Sequence, residues 1–293
     1  MTKNKNLKSF AAILVAVAIA AAVAWAGSRA DAATAFGWPL LLFCVALSFA
    51  IQWVAFLPAY RLQTEKFYDL AGSLTFLALL ASAARFGPPR EFADKLLLLM
   101  CGLWALRLGL FLFLRIHKDG ADKRFTAIKP SAPRFFMAWT MQGLWVFLTL
   151  SPVLMVLASP ARHFTTLWTY AGAGLWALGF TMELLADWQK RQFRANPANH
   201  GKFIQSGLWA WSRHPNYAGE ILLWVGVFIV CAPMLQGWQW VGVISPLFVT
   251  LLLTRVSGIP MLEASADQRW GQDPAYLHYK RRTPVLWPGF KPG

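Results

Sequence analysis

Long apolar runs, broken by short polar segments, set the pattern of this 293-residue chain. A membrane core of about 30 Å takes roughly 20 apolar residues per helix. On that criterion the pattern predicts eight spans, near 9–27, 37–58, 67–85, 94–114, 134–157, 165–187, 216–234 and 238–257. They leave no room for a separate soluble domain. The predicted fold is therefore all-α, a polytopic helix bundle, with 1–36 as an anchor helix and link and 37–293 as the main membrane domain. Lys3, Lys5 and Lys8 followed by an apolar run resemble a secretory signal, and the segment is expected to be retained as an anchor.

Composition agrees with the pattern: 57% of residues are hydrophobic, 14% are charged, and the mean hydropathy is +0.44. Trp38, Trp53, Trp139, Trp168, Trp238 and Trp240 fall near span ends, as interfacial anchors do. A net charge of +15 would suggest nucleic acid in a soluble protein, but its placement argues for membrane lipids and against nucleic acid. About 22 of the 28 Lys and Arg fall at the N-terminus, in alternate connections and in the C-terminal tail. The positive-inside rule then puts both termini in the cytoplasm, as an even number of spans also requires. Cys44, Cys101 and Cys231 lie within spans and read as buried apolar groups. Five scattered histidines show no metal-ligand spacing, so no metal is expected.

Polar complexity gathers in the connections on the expected cytoplasmic side. In the segment Ser212-Arg213-His214-Pro215-Asn216-Tyr217-Ala218-Gly219-Glu220, a basic turn runs into an apolar span with a carboxylate one turn inside it. Ionisable groups carried into hydrocarbon are costly and mark function. Pro215 suits the first turn of a helix, whose free N–H groups beside Arg213 favour an anion. Asp187, Arg191 and Arg194 recur at i, i+4 and i+7, one helical face suited to a polyanionic cofactor. Arg107 lies two turns inside its span, and Arg255 sits at the end of the last one. Either could snorkel to head groups or face the bundle. Glu65, between Gln63 and Tyr68, is the candidate acid: an apolar pocket would raise its pKa and keep it protonated to hydrogen-bond a carbonyl. Gly172-Ala173-Gly174 matches part of a dinucleotide fingerprint but lies inside a predicted membrane helix, where small residues serve close packing.

With these residues stated, the chain resembles the steroid 5α-reductase superfamily, and within it a bacterial branch of reductases. The likeness is strongest over 180–290, through Asp187-Trp188-Gln189-Lys190-Arg191-Gln192-Phe193-Arg194 and Arg213-His214-Pro215-Asn216-Tyr217. It extends back to Gln63-Thr64-Glu65-Lys66-Phe67-Tyr68-Asp69. The resemblance implies NADPH held in a cytoplasm-facing cavity at a bacterial inner membrane, and a lipophilic enone entering from the bilayer. It implies cofactor contacts at Arg107, Lys118, Asp187, Arg191, Arg194, Lys202, Arg213, His214, Asn216, Tyr217, Glu220 and Arg255, and catalysis by Glu65 with Tyr68. Trp104 stands where the family has a tyrosine, so either Tyr68 supplies the phenol or the substrate differs from a 3-keto steroid. The same Arg-His-Pro signature also resembles S-adenosylmethionine-dependent membrane methyltransferases. NADPH is favoured because its phosphates need cations, whereas S-adenosylmethionine has none. A non-catalytic lipid-binding protein is the third reading.

Overall fold

Helices occupy nearly every apolar run that the pattern marks. The computed structural model describes residues 2–119, 122–161 and 164–287; the side chains of 2–5, 115, 117–119 and 123 fall outside that description. In chain order the elements are α1 (Thr2–Gly27), a two-residue hairpin of β1 (Thr34–Ala35) and β2 (Trp38–Pro39), α2 (Leu40–Arg61), α3 (Tyr68–Phe86) and α4 (Phe92–Asp119). There follow α5 (Lys123–Thr126), α6 (Ala132–Ala158), α7 (Leu167–Ala195), α8 (Pro215–Cys231) and α9 (Ile244–Leu251). A π-helical turn (Leu252–Val256), α10 (Ile259–Trp270) and α11 (Pro274–Arg282) complete the fold. Among the described residues, seven helical segments are long and apolar enough to cross a membrane, which makes this an integral multi-pass protein. The predicted sixth span, 165–187, forms α7 but is not among the seven. Its Gly, Trp and Tyr positions, together with Glu183, dilute its apolar character. The parity argument for the termini therefore loses its footing, while the charge bias stands.

Packing divides the chain into two units, one of residues 1–169 with 230–245 and one of 170–229 with 246–293. In the first, α6 is the central helix, packed against α1, α2 and α3. From Val146 to Ala158 every side chain of α6 is buried, as expected of a helix apolar on all sides. Polar groups knit the bundle where no water can: Ser48 donates to Gly143 O at 2.8 Å and Gln52 Nε2 to Thr75 Oγ1 at 2.8 Å. Arg90 donates to the carbonyls of Leu157 and Ala83, closing two helix ends with one guanidinium. The three cysteines are free and buried, as expected. Trp38, Trp168, Trp238 and Trp240 are exposed, but two tryptophans expected at the interface are not anchors. Trp139 is fully buried in the core, and half-buried Trp53 donates to Thr140 Oγ1 at 3.1 Å.

In the second unit, α7 and α8 meet through glycines spaced seven residues apart on each helix. A Cβ at Gly219 would lie 2.6 Å from Gly179 O, and one at Gly226 would lie 2.6 Å from Gly172 O. Gly172 thus serves close packing as the sequence suggests, whereas Gly174 faces open space. Gly219→Ala should therefore cost about 1–3 kcal/mol, because backbone cannot yield there. Gly102→Ala, with nothing within 4 Å of its Cβ, should gain about 0.5–1 kcal/mol of helix stability. Thermal unfolding of the two variants in detergent checks the opposite signs.

Candidate functional site

Two polar constellations form, one in each unit. In the first unit, the turn between α2 and α3 places Glu65. Gln63 adopts φ +49°, a region few non-glycine residues enter, and its side chain donates to Tyr60 O at 2.7 Å. The chain turns back so that Glu65 is only 4% exposed. Its carboxylate accepts from Lys129 Nζ and, at 2.8 Å, from the backbone N–H of Asp122. Asp122 in turn caps α5, accepting from Arg124 N at 2.9 Å.

This corrects the expected state of Glu65. Burial does push its carboxyl upward, but the hydrogen bonds from Lys129 and Asp122 outweigh it and hold the pKa below the ordinary value. Glu65 is a paired carboxylate at neutral pH, without a proton to give. Tyr68 lies beside it, yet its hydroxyl donates to Ala138 O at 2.9 Å and its ring packs against Phe125 and Trp139.

In the second unit, a cavity of about 240 Å³ is lined by five cations, Lys190, Arg194, Lys202, Arg213 and Arg269, and one carboxylate, Glu263. Aromatic rings form its apolar wall. Phe203 lies 5.3 Å from Tyr276 and 5.5 Å from Tyr279, and Lys190 Nζ sits 4.4 Å over Trp209. The wall is pinned by hydrogen bonds from Trp209 Nε1 to Ala186 O at 3.1 Å and from Tyr279 OH to Trp209 O at 2.7 Å. Glu263 takes Arg213 Nη1 at 2.9 Å and His214 Nε2 at 2.8 Å, with Lys280 at 3.5 Å. Burial lowers the His214 pKa more than Glu263 raises it, so the ring is neutral at pH 7. Its Nδ1 and Arg213 Nε are buried without a protein partner.

Arg194, Lys202, Arg213 and His214 thus line one cavity. Tyr217 stacks on His214 at 5.8 Å. Asn216 donates to Asp187 Oδ1 at 3.3 Å, joining two further candidates away from the cavity lining, and Glu220 is half-buried one turn on. Arg191 and Arg255 are exposed and do not line the cavity. The cavity face of α7 is Lys190, Phe193 and Arg194, at i, i+3 and i+4, so Arg191 is turned off it. Arg107 belongs to the first unit, half-buried and stacked on Phe111 at 5.3 Å. The side chain of Lys118 lies outside the described residues. The residues that sequence reading missed are Lys190, Glu263, Arg269 and Lys129. The first was legible in the α7 register; Glu263 and Lys129 gain meaning only from partners 49–50 and 64 residues away.

The family described as "Protein of unknown function (DUF1295)" matches residues 55–283. An uncharacterised protein of Schizosaccharomyces pombe is 24% identical over 196 residues, covering 54% of this chain and 57% of that one. A probable O-methyltransferase of Ustilaginoidea virens is 31% identical over 166 residues, covering 52% of this chain and 56% of its own. The chain thus spans little more than half the length of these relatives. No solved structure matches it.

The depressed pKa of Glu65 has a consequence in acid. The folded state binds fewer protons than the unfolded one between the folded value and the ordinary 4.5. The stabilisation is therefore full above 4.5 and is lost as pH falls through the folded value. Glu65→Gln should cost about 1–3 kcal/mol at pH 7 and flatten this acid dependence. Parallel curves for the two proteins in detergent would show that Glu65 is not the group responsible.

Proposed function

The chain belongs to the DUF1295 family, which is of the steroid 5α-reductase-like type, and from that premise we propose that it is a membrane-embedded NADPH-dependent reductase. The transfer runs to the C=C bond of an α,β-unsaturated carbonyl in a lipophilic molecule arriving from the bilayer. The observation that carries this reading is the cavity of the second unit, where five cations face one carboxylate. Its lining also holds Arg213 Nε and His214 Nδ1 with no partner in the protein. Buried polar groups without partners are costly, and here they await a ligand's acceptor and donor. A nicotinamide dinucleotide fits that donor set, and when bound it supplies the hydride.

Arg213, Lys190, Arg194, Lys202 and Arg269 would take phosphate oxygens. Neutral His214, held by Glu263, would accept an N–H or O–H through Nδ1. Phe203, Trp209, Tyr276 and Tyr279 would offer a base an apolar wall and keep water out. The cavity volume, about 240 Å³, lies below the roughly 300–1,000 Å³ of whole-ligand pockets, which suits one end of a dinucleotide. The Lys and Arg bias supports placing this site on the cytoplasmic side of the membrane.

A second reading, an S-adenosylmethionine-dependent methyltransferase, is favoured by the Ustilaginoidea virens relative. Ligand-induced stabilisation separates the two. NADPH at about 100 times its Kd should stabilise the detergent-solubilised protein by about 2.7 kcal/mol, and Arg213→Gln should abolish most of that gain. Stabilisation by S-adenosylmethionine with none by NADPH would replace the reductase reading with the methyltransferase one.

A further inference from the structure

An apolar groove of about 580 Å³ opens in the first unit, where the end of one span meets the start of another. Ala22, Val23 and Ala26 of α1 line one side, and Trp238, Trp240 and Val241 of the 3-10 helix Gly237–Val243 line the other. Nothing lies within 4 Å of where a Cβ would stand at Gly237, which leaves that edge open. Trp238 is 81% exposed, as interfacial indoles are. The volume falls within the roughly 300–1,000 Å³ of whole-ligand sites. A charged lip adjoins the groove. Arg29 donates from Nη1 to Gln236 Oε1, one residue before Gly237, and from Nε and Nη2 to Asp31 at 2.9 and 3.0 Å. Gln236 is fixed in turn: its side chain accepts from the Gln239 N–H in a capping box, while Gln239 Nε2 donates to Gly27 O at 3.4 Å. A guanidinium has five N–H bonds, and among the described residues these contacts use three. The hydrogen bond from Arg29 holds the Asp31 carboxyl below its ordinary pKa, so both members of the pair are charged at neutral pH.

We propose that the groove and its lip hold one phospholipid with a zwitterionic head, a phosphate followed by a primary ammonium, as in phosphatidylethanolamine. An acyl chain lies in the groove, the phosphate accepts the remaining N–H bonds of Arg29, and the ammonium donates to Asp31. The charges select the head. A cation and an anion side by side match a head that carries one of each, and both contacts are charge-assisted hydrogen bonds. A lipid with a phosphate and no ammonium would set a second anion against Asp31. A quaternary ammonium keeps the charge but has no N–H to donate. The apolar walls select a tail, so a free phosphate or a free amine lacks half of the contacts. The lipid also bridges α1 to the segment that opens the last span, a junction that Gln239 otherwise closes through one long hydrogen bond. The family match begins at residue 55, so the lip and the α1 wall of the groove lie outside it.

The test uses the full chain in detergent, without any cofactor, titrated with dioleoyl lipids and read by native mass spectrometry. Dioleoyl phosphatidylethanolamine should bind about tenfold or more tightly than dioleoyl phosphatidylglycerol, and dioleoyl phosphatidylcholine should fall between them. Asp31→Asn, at an exposed side chain, should erase this preference by weakening the first lipid and admitting the second. Ala22→Trp, at an exposed position of α1, fills the groove and should remove one tightly held phosphatidylethanolamine. Equal affinities of the wild type for the ethanolamine and glycerol lipids overturn the proposal. A preference left intact by Asp31→Asn overturns it as well, as does full lipid retention by folded Ala22→Trp. Where Ala22→Trp fails to fold, Asp31→Asn decides alone.

Discussion

The ion pairs around Glu65 and Glu263 answer one constraint: a charge withdrawn from water at a membrane helix end must be met by an opposite charge or by several hydrogen bonds. Glu65 meets it with Lys129 and the Asp122 N–H; Glu263 meets it with Arg213, His214 and Lys280. Each solution ties together segments distant in the chain. The first fastens the connection before α6 to the start of α3. The second fastens the turn before α8 to α10.

The same pairing sets what chemistry each region can offer. A lone carboxyl in an apolar pocket would stay protonated and donate. Beside the ammonium of Lys129 it becomes an acceptor that fixes the ammonium in place. In the second unit the carboxylate is outnumbered by cations around the cavity, so the field there favours an anionic ligand, while Glu263 keeps His214 oriented with Nδ1 unprotonated. The reductase reading supplies such an anionic ligand through the phosphates of NADPH, whereas S-adenosylmethionine carries no phosphate for these five cations.

Close packing supplies the remaining precision. Gly172 and Gly179 on α7 and Gly219 and Gly226 on α8 let two backbones approach to near contact, which larger residues would forbid. That approach brings Asp187 against Asn216. It also settles the rotation of α7, so that Lys190 and Arg194 rather than Arg191 line the cavity.

The apolar runs by themselves determined the helix bundle, because in hydrocarbon every backbone N–H and C=O must be satisfied within its own segment. The neighbourhood of Arg213, His214 and Asn216 was legible for a related reason: polar residues entering an apolar run stand out against it. The helical face of α7 was read from spacing, but 3.6 residues per turn admits two neighbouring faces for Arg194, and spacing cannot choose between them. Trp139 and Trp53 looked like anchors since a tryptophan near a span end has the same sequence signature whether it faces lipid or core. Only the tertiary structure gave Glu65 its charge and Lys129 its place. A pKa depends on what lies within a few ångströms, and the ammonium that decides it comes from 64 residues along the chain.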